Sequence, residues 1–384
     1  MQLDWNHLFP PGEPVIALPN WQHPRLLVAA RQLAERWRDS DFYPAQSLRT
    51  EVYKQVVRLQ AAARISQVRR AEGRNWLLEE FLDGLIDSPL PPTVRIGPTC
   101  AARKWLIRVP DASGKPAAFI KWGISDSACR RIVREHGILC ALPKGLGPLP
   151  TRVGPLNGGT ALCLRPIIGQ SLARYIPRIR ARLANFLEGL AIRTPVAIDE
   201  HSGFAALAEN APPPVLAWIE QLADQPWPVV IHHGDLTPWN LIDVSSDRLD
   251  WGGRLMAVDW EYASLSGAPF LDVAHFYLQI AAISKKLGPA AAVAFTVARL
   301  MRQPWPDLSQ THAVALTALT AYAAWRRALD DGDGADEPMQ RWHRTIWDHP
   351  PLERSGSLRD LTIMPSMPAP PPVAMGPSTP RSGA

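Results

Sequence analysis

Between His233 and Glu261 the chain alternates apolar runs with turn residues in an order that few folds accommodate. Val229-Val230-Ile231 is a short apolar run that leads into His232 and His233. Gly234 and Pro238 mark a loop, and Leu241-Ile242 begins a second run. Ser245-Ser246-Asp247 and Gly252-Gly253 punctuate a turn, after which Leu255-Met256-Ala257-Val258 returns as a third run. If the last two runs pair as an antiparallel hairpin, the start of one lies beside the end of the other. Asn240 and Asp259, nineteen residues apart, occupy those two ends and become neighbours.

Two oxygen-bearing side chains converging on one point suit Mg2+, which takes few protein ligands together with substrate phosphates. Asp235, five residues before Asn240, adds a carboxylate on the same loop. One Asp for an acceptor hydroxyl and an Asn and an Asp for metal are the parts that phosphoryl transfer uses. Singly, each has a plainer explanation. His-Gly-Asp is common in loops, Asn240 is a good turn residue, and Asp259 ends a strand. The whole set, with strands between its members, is hard to obtain by accident.

The motif His233-Gly234-Asp235-x4-Asn240, with Asp259-Trp260-Glu261, resembles the aminoglycoside phosphotransferase and choline kinase family of protein-kinase-like fold. Pro269-Phe270-Leu271-Asp272-Val273-Ala274 is similar to that family's Pro-x2-Asp-Leu-Ala stretch, where the Asp anchors the catalytic loop. The resemblance implies that Asp235 is the base or orienter for the acceptor, that Asn240 and Asp259 bind Mg2+, and that His233 braces the loop. It leaves Glu261 between metal, substrate and loop support.

A nucleotide-binding half is expected upstream. Pro116–Lys121 reads as a strand ending in Lys121, and Ser125-Asp126 are good residues to start a helix. Ile132, Val133, Leu139 and Cys140 recur at helical spacing, which puts Glu135 on the inward stripe, where it needs a partner. Lys121 is preferred as that partner over Arg131, one turn away. Thr93–Ile96 and Lys104–Val109 read as two strands, with Gly97 opening a turn that is rich in small residues but lacks Gly-x-Gly-x2-Gly. This departure leaves ATP and GTP both open. Leu162-Cys163-Leu164-Arg165-Pro166 resembles the family's hinge, with Leu164 beside the adenine, and Gly169-x2-Leu172 its helix start.

The 384 residues hold 41 Lys and Arg against 36 Asp and Glu. The excess is local: 12 against 3 over 91–165, but 15 against 20 over 166–352. A basic half over an acidic one suits a polyphosphate above and a metal below. The basic residues are dispersed without a nucleic-acid motif, so no nucleic-acid partner is expected. No apolar run reaches the ~18 residues of a membrane span, and residues 1–20 lack a signal-peptide pattern. Cys100, Cys129, Cys140 and Cys163 have no metal spacing and read as reduced packing residues.

The sequence therefore predicts an α+β, two-lobed protein-kinase-like fold with a small β-rich N-lobe, a larger helical C-lobe and an extra helical N-terminal segment. Residues 1–90 form that extension, with helices over Pro24–Arg38 and roughly Ala45–Arg70, packing on the upper lobe or making a homodimer contact. Residues 91–165 are the N-lobe, 166–352 the C-lobe with catalytic loop and acceptor site, and 353–384 a disordered Pro-rich tail. Trp305, Trp325, Trp342 and Trp347 are read mainly as core, and the acidic stretch Asp330–Glu337 as a solvated loop. The expected activity is ATP- and Mg2+-dependent transfer of phosphate to a hydroxyl of a small molecule, such as a sugar, amino sugar or amino alcohol, in the cytoplasm. The alternative is a kinase-like pseudoenzyme or regulatory nucleotide-binding module. A third reading is a membrane-associated scaffold working through 1–90.

Overall fold

A computed structural model of the chain describes residues 5–43, 48–63, 67–87, 89–98, 100–172, 180–191, 194–244, 254–302 and 308–348. Trp305, Thr99, the 245–253 turn and the 353–384 tail lie outside them. The first elements are β1 (Pro14–Leu18), β2 (Leu26–Ala29), α1 (Leu33–Ser40), α2 (Leu48–Ala63), β3 (Val68–Arg70) and α3 (Leu77–Leu82). β4 (Thr93–Ile96), β5 (Lys104–Pro110), β6 (Pro116–Gly123), α4 (Asp126–Ala141), β7 (Pro150–Leu156) and β8 (Gly159–Leu164) follow. All eight strands form one antiparallel sheet, ordered β3-β1-β2-β4-β5-β6-β8-β7.

Among the described residues, 1–90 carry three α-helices, α2 lying within the expected Ala45–Arg70 span, but they also contribute three strands that the sequence reading missed, and the sheet runs unbroken across position 90. Leu26-Leu27-Val28-Ala29 is buried throughout, with both faces covered, so it reads as a continuous apolar run without period-2 alternation. The helix begins only at α1, where Gln32 and Glu35 cap its first turn reciprocally. On one face, Leu8, Phe9, Val15, Leu27, Val94, Ile107, Ile120 and Trp122 make a core under α3. On the other, Ile16, Leu18, Leu26 and Val28 pack against Val57 and Ala61 of α2. Val52, Val56 and Leu59 of α2 are exposed.

The remaining elements are β9 (Gln170–Ser171), α5 (Arg180–Leu190), α6 (Ser202–Ala208), α7 (Pro213–Glu220), β10 (Val230–His232), β11 (Leu241–Asp243), β12 (Leu255–Ala257) and β13 (Ser264–Gly267). The chain ends in α8 (Leu271–Gln279), α9 (Pro289–Leu300), α10 (Gln310–Asp330) and α11 (Pro338–Trp347). Gln170 and Ser171, expected to open a helix, are a strand paired to β11 instead. The helices enclose a second core through Trp218, Trp227, Phe276, Leu316 and Trp347. Trp325 and Trp342 pack against it. The chain thus has the expected two-lobed α+β architecture, a sheet lobe joined to a helical lobe after Leu164. Among the described residues no helix is long and apolar enough to cross a membrane.

Candidate active site between the lobes

The predicted hairpin forms. β11 and β12 pair antiparallel with Leu241 opposite Ala257, and the Val258 N–H extends the pairing by donating to the Asn240 carbonyl at 2.8 Å. Asn240 and Asp259 are brought to the same end. β10 pairs with β13, so the loop from His233 to Asn240 is suspended between two small sheets.

That loop is tied at several points. Asp272, in the first turn of α8, accepts the backbone N–H of His233 at 2.7 Å and of Gly234 at 3.0 Å. His233 Nδ1 accepts the Asp235 N–H at 3.2 Å, and its Nε2 meets the Val258 carbonyl at 3.0 Å. Together these partners assign the neutral Nε2–H tautomer, since Nδ1 must be the acceptor. The ring packs on Trp260, with centroids 4.5 Å apart. Gly234 adopts φ 82, and a Cβ there would lie 2.6 Å from the Tyr262 carbonyl oxygen. Only glycine satisfies both conditions.

Asp235 is held from three sides. His275 Nε2 lies 3.1 Å from Oδ1, Arg327 Nη2 donates to the same oxygen at 3.1 Å, and Asn240 Nδ2 donates to Oδ2 at 3.2 Å. Burial pushes its carboxyl upward, but Arg327 and His275 outweigh burial and hold it below the usual carboxylate range. Asp235 is therefore an anion at neutral pH. Neither His275 nor Arg327 is singled out by the sequence reading. His275 carries a weak signal, since it lies one turn after Asp272 on the same helix face. Arg327 carries none, because it reads as one of many basic residues on a helix.

Across the cleft, Lys121 Nζ donates to Glu135 Oε1 at 2.6 Å and Oε2 at 2.8 Å, and to Asp259 Oδ1 at 2.6 Å. Glu135 is fully buried and also accepts the Trp260 N–H at 3.1 Å, which ties helix α4 to the segment after β12. Arg131, the rival partner, turns instead to Asp331 and to the Tyr262 hydroxyl, so Asp331 is an interlobe anchor and not simply part of a solvated loop. Burial lowers the Lys121 pKa, but the Asp259, Glu135 and Glu261 carboxylates more than reverse this and keep it charged. Asp259 is correspondingly held below the usual range: burial opposes ionisation and Lys121 and Lys104 override it. Glu261 pairs with Lys104. Burial and the Asp259 charge raise its pKa.

Asp259 takes the left-handed φ of 71, rare for a residue with a Cβ, between neighbours whose N–H groups are both bonded. Such a fixed, strained backbone is typical of functional positions. Its side chain is 39% exposed, whereas Glu135 is fully buried, so Asp259 is the carboxylate that faces the cleft. The Asn240 amide nitrogen is committed to Asp235, which leaves Oδ1 as the atom open to a cation. This hard-oxygen pair fits Mg2+. Gly97 closes the β4–β5 connection: its N–H donates to the Lys104 carbonyl at 3.0 Å, and a Cβ would lie 2.5 Å from that oxygen. Leu164 is buried at the end of β8, and the next N–H, of Arg165, donates to Leu149.

One buried histidine behind this floor gives a pH prediction. His343 of α11 is 4% exposed, its Nδ1 has no hydrogen-bond partner, and burial followed by the nearby His275 and Arg327 pushes its pKa down to about 3. The unfolded chain takes up this proton near pH 6.5 and the folded chain does not, so stability is lost as pH falls from about 6.5 toward 3. Urea unfolding at pH 7.5 and 5.5 should show a drop that is smaller by about 1.4 kcal/mol in His343→Gln. An identical drop in both proteins would remove His343 as its source.

No family model matches the sequence, and no curated protein matches it. Solved structures do. An ethanolamine kinase of Plasmodium vivax is 14% identical over 66% of this chain and 80% of its own, with TM-score 0.41. A thermostable mutant of an aminoglycoside phosphotransferase, APH(4)-Ia, in ternary complex with ADP and hygromycin B, is 14% identical over 71% of this chain and 96% of its own, with TM-score 0.45. The aminoglycoside phosphotransferase APH(3'')-Id of Streptomyces rimosus, in complex with ADP and streptomycin, is 18% identical over 58% and 92%, with TM-score 0.36. At such identities each is a likeness of fold, and the chemistry of this chain has to be argued from its own side chains.

Proposed function

We propose that the chain is an ATP- and Mg2+-dependent phosphotransferase acting on a hydroxyl of a small molecule, in the cytoplasm where ATP is available. The observation that carries this is the convergence of Lys121 on Glu135 and Asp259, 2.6 Å from each, in the same cleft as Asp235 and Asn240. Lys121 supplies a fixed cation for the nucleotide phosphates, and Glu135 fixes its position. Asn240 Oδ1 and the Asp259 carboxylate would hold Mg2+, which supplies charge neutralisation at the phosphates when bound.

Asp235 receives the acceptor hydroxyl. The acceptor oxygen forms a bond to the γ-phosphorus, the bond to the leaving ADP oxygen breaks, and the acceptor proton passes to Asp235 or through it to water. With its pKa held low, Asp235 is a weak base, so its main work is orienting the hydroxyl before its proton is lost. His275 and Arg327 fix which carboxylate oxygen points where. The test is an acceptor panel of sugars, amino sugars and amino alcohols incubated with Mg-ATP, read as a mass gain on the small molecule. A gain with wild type that vanishes in Asp259→Ala supports the reading. Nucleotide-dependent thermal stabilisation with no gain on any acceptor favours the regulatory module instead.

A further inference from the structure

We infer that Arg95 binds the polyphosphate of the nucleotide, as part of a side-chain cradle that replaces the backbone donors of a glycine-rich loop. The inference rests on the nucleotide-binding reading above and deepens it. The start of the β4–β5 turn offers a phosphate no backbone donor. The Gly97 N–H is already bonded to the Lys104 carbonyl, and Pro98 has no N–H. The turn is also pinned, because Arg103 Nε donates to the Gly97 carbonyl at 3.2 Å and Ser125 Oγ to the Ala101 carbonyl at 2.6 Å. Side chains on the neighbouring sheet face then stand in for the donors that Gly97 and Pro98 do not supply.

Register places those side chains. Arg95 stands opposite Leu106, and Leu106 opposite Lys121, so all three share one sheet face. Lys104, two residues from Leu106, shares it too. Of these three cations, Lys121 is engaged by Glu135 and Asp259 and Lys104 by Glu261. Among the described residues the Arg95 side chain makes no hydrogen bond and no ion pair. Its guanidinium lies 5.4 Å from the centre of the Phe42 ring, which also carries Arg108 at 5.1 Å. Burial lowers its pKa and the Asp259 charge raises it, which places Arg95 in the field of the metal-side carboxylate.

A half-buried guanidinium with five donors and no protein acceptor is free to take the acceptor oxygens of a ligand. Phosphate oxygens match its fork, and the Phe42 face holds its plane in advance. Arg95 and Lys121 stand two strands apart, about 10 Å between backbones. Side chains reaching inward from those positions flank a di- or triphosphate.

Calorimetric titration of the full chain with adenosine, ADP and ATP in the presence of Mg2+ tests this. Arg95→Gln is expected to weaken ATP and ADP binding about thirtyfold and to leave adenosine within about twofold. Arg95→Lys, which keeps the charge and loses the fork, should fall between. Arg130→Gln, the same charge change at an exposed position of α4, should bind as wild type does. Unchanged ATP affinity in Arg95→Gln, or an equal loss for adenosine and ATP, would overturn the cradle and leave the phosphotransferase reading standing. Failure of wild type to bind any adenine nucleotide would overturn both.

Discussion

Asp235→Asn should lower turnover about a thousandfold while leaving nucleotide affinity within a few-fold of wild type, since it removes the charge that orients the hydroxyl as well as the acceptor for its proton. The substitution is chosen because it barely disturbs the loop. An Asn oxygen in place of Oδ1 still accepts from Arg327 and His275, both 3.1 Å away in the native chain. The new amide nitrogen would face Asn240 Nδ2, now 3.2 Å from Oδ2, so one donor–acceptor pair becomes a donor–donor contact. That costs about 1 kcal/mol, too little to unfold the protein. The negative charge that the proposed function assigns to orienting and deprotonating the acceptor is gone. The measurement is the initial rate with an acceptor identified from the panel, alongside ATP titration of the same preparation. A variant that keeps more than about a tenth of wild-type turnover would mean that Asp235 only supports the loop. His275→Asn should give a milder loss, because it removes one of three restraints on the same carboxylate.

How much of this was legible in the sequence depends on distance along the chain. The strand–loop–hairpin from Val229 to Val258 could be read because its punctuation is local, and hairpin pairing alone makes Asn240 and Asp259 neighbours. The Lys121–Glu135 pair could be read because helical spacing puts Glu135 on the inward stripe, and a buried carboxylate needs a cation. The partners of Asp235 could not. His275 and Arg327 arrive from helices 40 and 92 residues away, and beyond the one-turn spacing of His275 from Asp272 no local pattern sets them apart from other basic residues. The interlobe pair of Lys104 and Glu261 spans 157 residues and has the same problem. The N-terminal misreading is of another kind. Leu26-Leu27-Val28-Ala29-Ala30 is followed by good helix formers, so the apolar run merges with the true helix. The separating mark is the capping pair Gln32 and Glu35, which says that the helix begins there and that the run before it is a strand. Arg95 shows what pairing adds: its strand was legible, but only the register sets it across the cleft face from Lys121.

The largest stability effect is expected at Glu135. Glu135→Ala removes a fully buried carboxylate, leaves Lys121 with Asp259 as its remaining hydrogen-bonded partner, and strips the Trp260 N–H of its acceptor. Breaking a buried ion pair from one side costs ~3–5 kcal/mol, and an orphaned buried N–H adds ~1–3 kcal/mol. Lys121→Met should be comparably damaging, because it leaves Glu135 charged in the core. The informative protein is the double variant Lys121→Met with Glu135→Leu. Replacing both charges by apolar groups removes the desolvation penalty along with the attraction, so its stability should return to within about 1–3 kcal/mol of wild type, the remainder being the Trp260 N–H that still lacks its acceptor. Urea unfolding of the four proteins closes the cycle, and the two single losses should be strongly non-additive. Activity should not return with stability. If the pair existed only to join α4 to the sheet, the repaired double variant would recover turnover as well. A double variant that is folded, stable and inactive instead places the function in the Lys121 charge at the mouth of the cleft, with Glu135 there to hold it.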